Sequence, residues 1–530
     1  MASQNHSAES ISKFLKLPND ILQSITRLLN NGNIKNLRLV CKHLRDVSRL
    51  RFDRIFISAN QRNIEVFRAV ATHEEFRKQV VEIIWDDARL EGFSPEDSDG
   101  NGGEEDEEEE CPRWFAEACQ ENVDEMDDHD RESHEEQLAS LMPSKDSYAY
   151  YMDLCKQQQA VLKTEEDAEA LRLGLRSFPA LRRVTICPVT HRQFLSPRYL
   201  TPMIRSFPPG FNYPIPKGWP TTVDLPAIAN EWVSNEEKMK WRGFCIVTRE
   251  LSNHTGHQIT EFVVDVNRAW TGLNCHIFDA PSKIYEDLRN LFNRQGFKRI
   301  DLALNVGDIY QTGWGPFHSG LITKALASSH DLEHFYFHTN TVLMGYQKPP
   351  YDPRLDIGMS LLEIFPIAQW PKLKSFGLSN YHVKINDLIT FLSQLPPSIQ
   401  TLELTSIEFL DSDWQTALPR MRDELSWQSW LTPPKLTVSI PSNMGISGLA
   451  TWLSNEIDAF LYGEGSNPFS GPNYIPIGTG MVKQDFDESS ERPNLDTFAL
   501  MDLGFLREQR PWKLNREEHE GAQGFSWRRQ

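Results

Sequence analysis

The chain has 530 residues, 39% of them hydrophobic and 24% charged, enough to bury a large core or two or three domains' worth of structure. No run approaches the roughly 18 apolar residues of a membrane span, the first residues lack a hydrophobic signal core, and the seven cysteines show no paired spacing. Neither a membrane protein nor a secreted disulfide scaffold is expected, and a cytoplasmic or nuclear location, or both, is. The net charge of −19 is a local property: residues 96–136 hold 20 Asp and Glu against Arg113 and Arg131, whereas residues 1–60 carry 10 Lys and Arg against 4 Asp and Glu.

In chain order, residues 1–13 are polar and expected to be disordered. Two apolar periods follow within 14–58. In the first, Ile21, Leu22, Ile25, Leu28 and Leu29 form one stripe of an amphipathic helix. Asn31-Gly32-Asn33 ends that helix and offers a cap to the next, in which Ile34, Leu37, Val40, Cys41 and Leu44 fall on one side. Two such short helices carry more apolar surface than they can hide by packing together, so the rest of the chain or a partner must cover the remainder.

Leu17-Pro18, the pairs Ile21-Leu22 and Leu28-Leu29, Ile25, and the run Leu37-Arg38-Leu39-Val40-Cys41-Lys42 stand in an order that resembles the F-box. This helical module of roughly 45 residues docks a substrate receptor onto the Skp adaptor of cullin-based ubiquitin ligases. The resemblance implies that Leu17, Pro18, Ile21, Leu22, Ile25, Leu28, Leu37 and Val40 form the adaptor-facing surface or support it. Many F-boxes place a tryptophan after the Val-Cys-Lys segment; here Leu44 or the following turn is expected to fill that space.

After a first strand region at 75–93, residues 94–140 form an acidic insertion. Its seven consecutive acidic residues from Glu104 to Glu110 repel one another, so a solvated, disordered spacer is expected. Cys111, Cys119, His129 and His134 lie inside it at spacings of eight, ten and five, which match no structural zinc pattern. No metal or other cofactor is expected.

From 141 to 445 a unit recurs: a helical apolar pattern, a break, then a strand written apolar-x-x-apolar-x-apolar. Ser282 caps a helix with Ile284, Leu288, Leu291 and Phe292 on its buried side, Gly296 supplies the exit, and Phe297, Ile300 and Leu302 write the strand. Leu388, Phe391, Leu392 and Leu395, stopped by Pro396-Pro397, lead to Ile399, Leu402 and Leu404; Ala168, Leu171 and Leu175 lead to Leu181, Val184 and Ile186. Further strands are predicted at Val80-Ile83-Trp85, Ile259-Phe262-Val264, Leu332-Phe335-Phe337 and Leu373-Phe376-Leu378. The intervals between residues 262, 300, 335, 376 and 402 are 38, 35, 41 and 26, longer and more ragged than regular leucine-rich repeats. The fold class expected is α/β: an F-box-like helical module followed by an irregular leucine-rich-repeat-like solenoid with parallel strands, similar to the repeat region of many F-box receptors, fungal ones especially. An ordinary α/β domain with a parallel sheet is the alternative.

Between Ile186 and Ile259 a Pro-, Gly- and aromatic-rich insertion offers Tyr213, Trp219, Trp232 and Trp241 either as target-binding anchors or as pins holding the loop to its own core. Residues 446–530 form a partly ordered extension. No phosphate-binding loop, nucleophile elbow or His-Glu-x-x-His helix occurs, and no aromatic–basic pattern supports nucleic-acid binding. The resemblance implies a non-catalytic substrate receptor, with which the missing motifs agree: the F-box-like helices are expected to bind the Skp-type adaptor and its cullin complex, and the repeat region to hold a target protein. A non-degradative scaffold and an α/β enzyme with an unrecognised site are the alternatives.

Overall fold

The computed structural model describes residues 14–26, 28–29, 31–91, 111–124, 126, 134–221, 228–267, 269–307, 315–341, 359–441, 449–470 and 482–484. The first thirteen residues, the acidic run Glu104 to Glu110 and most of the last sixty residues lie outside them. Three short helices open the chain: α1 (Asn19–Thr26), α2 (Asn31–Val40) and α3 (Lys42–Val47). The remainder is organised on one open sheet whose strands are β1 (Arg54–Ile57), β2 (Glu82–Asp86), β3 (Arg183–Cys187), β4 (Glu261–Val264), β5 (Leu273–Asn274), β6 (Arg299–Asn305), β7 (His334–Thr339), β8 (Ser375–Val383), β9 (Thr401–Phe409), β10 (Lys435–Pro441), β11 (Leu449–Trp452) and β12 (Val482–Gln484).

Strands follow one another in space as they do in sequence, from β1 to β12, with only β5 set aside against β6. Every pairing from β1 to β10 is parallel, and β11 and β12 close the far edge antiparallel. The crossover helices pack in the same order, Gln61–Thr72 against Glu166–Ser177, that helix against Arg242–Asn253, and so on to Ser454–Tyr462. The molecule is thus an amino-terminal helical module followed by a mostly parallel α/β sheet.

Register explains why the recurrent strand pattern is needed. Ile55, Ile83, Val184, Phe262, Ile300, Phe335, Phe376, Leu402 and Leu436 are aligned across nine strands, and all are buried. Residues two positions on, such as Trp85, Ile186, Phe337, Leu378 and Leu404, lie on the same face and join the same core. At about 1.5–3 kcal/mol for each side chain withdrawn from water, this double row binds neighbouring units together. Its local frame is set as the sequence requires: Ser282 Oγ accepts from Tyr285 N–H at 3.2 Å to start the helix Lys283–Phe292, and Gly296 takes φ 78° before β6.

Two expectations need correction. The acidic insertion is not a spacer throughout: Arg113–Asp124 is a helix that buries Phe115 and Cys119 in a second core with Tyr151, Leu154, Met203, Phe211 and Tyr213. Its apolar residues sit four apart on one face, so the helix is amphipathic although the segment as a whole is strongly charged. In addition, the last part of the span 14–58 is not helical, because Arg54–Ile57 is the first strand and pairs with β2.

Candidate interaction surfaces

The amino-terminal module has its own small core. Leu22, Leu44 and Val47 are buried together, with Phe14, Leu15, Leu17, Leu37 and Cys41 packed around them. Leu44 occupies the interior position expected of it. Cys41 is extended (φ −160°, ψ 164°) and its Sγ accepts from Leu44 N–H at 3.5 Å, which breaks the chain direction between α2 and α3. Asn31 ties the module's ends, donating from Nδ2 to Arg51 O at 2.7 Å and accepting Arg51 N–H at 2.9 Å. Arg38 donates to the carbonyls of Arg45 and Ser48 at the end of α3. These bonds satisfy carbonyls and amides that three short helices leave over.

Among the module's mostly polar exposed residues stand four large apolar ones. Ile21 is 48% exposed, Leu28 86%, Leu39 85% and Val40 60%. These are four of the nine exposed large hydrophobic residues among the described residues, within twenty positions of one another, a density that points to a covered face rather than scattered surface residues. The eight residues expected to form or support this surface divide accordingly. Pro18, Ile21, Leu28 and Val40 are exposed; Leu22 is buried, and Leu17, Ile25 and Leu37 are half-buried. Val40 does not share the buried side of Ile34, Leu37 and Leu44 as its spacing predicted, because α2 ends there and the extended Cys41 interrupts the helical period. Leu39 was missed because it falls off the predicted stripe, on the exposed side of α2 next to Val40.

A second surface is the face of the sheet turned away from the helices. It carries a groove of about 360 Å³ lined by Arg54, Glu82, Arg183, Arg299, Asp301 and Tyr336, among others. Register lays these charges in a row, Arg54 beside Glu82, Arg183, Glu261, Arg299 and His334 across six strands. Arg54 Nε is 2.7 Å from Glu82, Arg183 is 2.5 Å from Glu261, and Arg299 is 2.6 Å from Asp301. Thr185 Oγ1 donates to Glu82 at 2.6 Å. Gly377 makes room for the Tyr336 ring, since a Cβ there would lie 2.2 Å from it. None of these residues was singled out from the sequence, because the row joins positions up to a hundred residues apart.

The four aromatic residues offered as target anchors are buried instead. Trp219 Nε1 donates to Asp87 at 2.7 Å, Trp241 Nε1 donates to Gly272 O at 2.9 Å, Trp232 packs edge-on against Trp241 at 5.7 Å, and Tyr213 shares a 2.8 Å hydrogen bond with His191. They pin the insertion to the body; with 9% exposure at most they offer no face to a partner. Around them lie strongly perturbed groups whose cause is burial: the Asp86 carboxyl is pushed up to about 7, Asp87 is also raised, and the His191 imidazole is held down to about 3. Asp87 is enclosed by donors from Trp219, Trp85 and Gly243 N–H, so its position is that of a structural tie. Among the described residues no group of three or more His, Cys, Asp or Glu could hold a metal ion, and no helix is long and apolar enough to cross a membrane.

Compared with known families, residues 14–54 match the F-box domain model. The matched span ends where β1 begins and contains the whole exposed apolar ridge. An F-box domain implies contact with a Skp-type adaptor and, in general, a substrate-recognition role in ubiquitin ligation. No curated protein matches the chain.

Proposed function

We propose that this F-box protein is the substrate-recognition subunit of a Skp–cullin–F-box ubiquitin ligase, its helical module seated on the adaptor and its sheet region holding a target protein. The observation that carries the reading is the set of Ile21, Leu28, Leu39 and Val40, which the described later segments leave exposed. Capture of such a ridge by a second chain removes apolar surface from water and contributes about 25 cal/mol per Å² before the costs of association. The interior residues Leu22, Leu44 and Val47 hold the ridge in place without needing to touch the adaptor.

The sheet region supports the second half of the reading. Sequential parallel strands with helices along one side, and a charged groove on the other, fit an irregular leucine-rich-repeat-like solenoid that presents an extended surface to a partner. Catalysis then needs no acid, base or nucleophile in this chain. Tethering a target near a charged ubiquitin-conjugating enzyme raises its effective concentration, and the chemistry belongs to the other subunits.

Affinity purification of the full chain, with and without inhibition of cullin activation, tests the reading. Co-purification of a Skp-type adaptor and cullin, with bound partners accumulating on inhibition, is the expected result. Stable partners whose abundance does not respond to inhibition contradict the receptor role.

A further inference from the structure

The groove on the open face of the sheet has an asymmetry that identifies the chemistry of its occupant. Arg54, Arg183 and Arg299 rise from the first position of β1, β3 and β6, and Arg182, Lys298 and Lys374 immediately precede β3, β6 and β8, flanking the residues that line the groove. Their partners are Glu82, Glu261, Asp301 and Glu333; with Arg198, Asp265 and Glu403 counted the face holds seven cations against six carboxylates, so the asymmetry lies in exposure rather than in number. In every pair the carboxylate is the inner member. The Arg54 side chain is 54% exposed against 7% for Glu82, and Lys298 is 53% exposed against 20% for Glu333. Glu82 and Asp301 are buried and Glu261 and Glu333 half-buried, while the cations keep more of their surface in solvent and carry more N–H donors than these pairs use. Two further carboxylates line the groove. Asp265 is engaged by Arg198 at 3.1 Å and by Tyr199 OH, and Glu403 lies on β9, beyond the cationic stretch.

Building on the receptor reading, we propose that the β1–β8 stretch of this face binds a carboxylate-rich, extended segment of the target protein. Charge complementarity is the argument: on this face the cations are the more exposed members of their ion pairs and the carboxylates the sheltered ones, so an approaching chain meets the cations first. An extended acidic segment supplies carboxylates that can accept bidentate hydrogen bonds from the arginines, and the Tyr336 ring laid over Gly377 gives its backbone a flat apolar floor.

The test uses the full chain co-purified with a Skp-type adaptor and a fluorescein-labelled glutamate-rich peptide, read by fluorescence anisotropy. The same peptide with glutamine for glutamate is the control. The structure predicts that the glutamate peptide binds, that the glutamine peptide does not, and that binding weakens as salt rises. The flanking variant R182Q/K298Q/K374Q and the groove variant Arg299→Gln each weaken binding about tenfold or more. Equal binding of both peptides, no binding, or binding unchanged in both variants overturns the proposal. If a variant fails to fold, as its melting curve reveals, the peptide pair and salt series on the unaltered chain still decide. Binding that appears only after deletion of residues 104–110 assigns the groove to the chain's own acidic run and likewise overturns it. Failure of the unaltered chain to bind the glutamate peptide while it retains the adaptor refutes this proposal alone, whereas an adaptor that never co-purifies refutes the receptor reading beneath it.

Discussion

Ile21 and Leu22 are consecutive residues of α1 that face opposite surroundings: Leu22 is completely buried against Leu44 and Val47, and Ile21 keeps about half of its surface in solvent. One apolar dipeptide therefore serves both the module's own core and its outer ridge. Only the first of these roles is a matter of this chain's stability.

Leu22→Ala should cost about 2–5 kcal/mol in the helical module, the usual range for a large-to-small change in a core. Ile21→Ala should stay within about 0.5 kcal/mol. Hydrogen exchange on the amides of α1 to α3 separates the two, with protection lost in the first variant and kept in the second.

Asp87 collects N–H donors from Trp219 at 2.7 Å, Trp85 at 3.3 Å and Gly243 at 3.1 Å. Asp87→Ala leaves three buried donors without an acceptor, and about 1–3 kcal/mol for each orphaned group makes this one of the most damaging single changes available. Chemical denaturation should show the loss, and tryptophan fluorescence should report release of Trp219.

The Asp86 carboxyl, raised by burial to about 7, makes stability depend on pH in a defined direction. Its folded pKa lies above the ordinary 3.8, so the folded state holds the proton that the unfolded state releases. Stability from this group is greatest below about 4, declines as pH rises toward 7, and is flat above that. Asp86→Asn keeps an acceptor for Ala88 N–H, bonded at 3.1 Å, and cannot ionise. Relative to the unaltered chain, its melting temperature should gain most at pH 8 and nothing near pH 4. His191, held down to about 3, acts in the opposite sense: its contribution is lost as pH falls from about 6.5 through 3 in both proteins and cancels in the difference.

Gly377→Val places a side chain where the Tyr336 ring lies, 2.2 Å from the position of the new Cβ. The ring must leave the groove floor, at about 1–3 kcal/mol. Acrylamide quenching or nitration of Tyr336 should show it more accessible in the variant.

The core side of the sheet was legible in the sequence because burial imposes a spacing. Phe262, Ile300, Phe335, Phe376 and Leu402, picked out as the middle apolar residues of recurrent strands, are aligned partners in the structure. The same signature at Phe52-Ile55-Ile57 passed unnoticed because it was absorbed into the helical module, although Ile55 joins the aligned row. The groove was not legible. Its residues alternate with the core positions, but nothing local tells a solvated strand residue from one paired with a charge a hundred residues away. The helix Arg113–Asp124 was hidden in a different way: the charge of its neighbours dominates any average over the segment, while a few residues, Phe115 and Cys119 with Trp114 beside them, anchor it. On the amino-terminal ridge, the order of residues carried the resemblance, but the division into inner and outer faces depended on the break at Cys41.

The most direct measurement is the affinity of the full chain for a purified Skp-type adaptor, determined by calorimetry for the unaltered protein and for the ridge variant Ile21→Asp/Leu28→Asp/Val40→Asp. All three side chains are more than 45% exposed, so the fold should survive. The account predicts tight association for the unaltered chain and, for the variant, loss of binding by about a hundredfold or more with an unchanged melting curve. Equal affinity in a variant that remains folded would show that the exposed ridge is not where the adaptor sits.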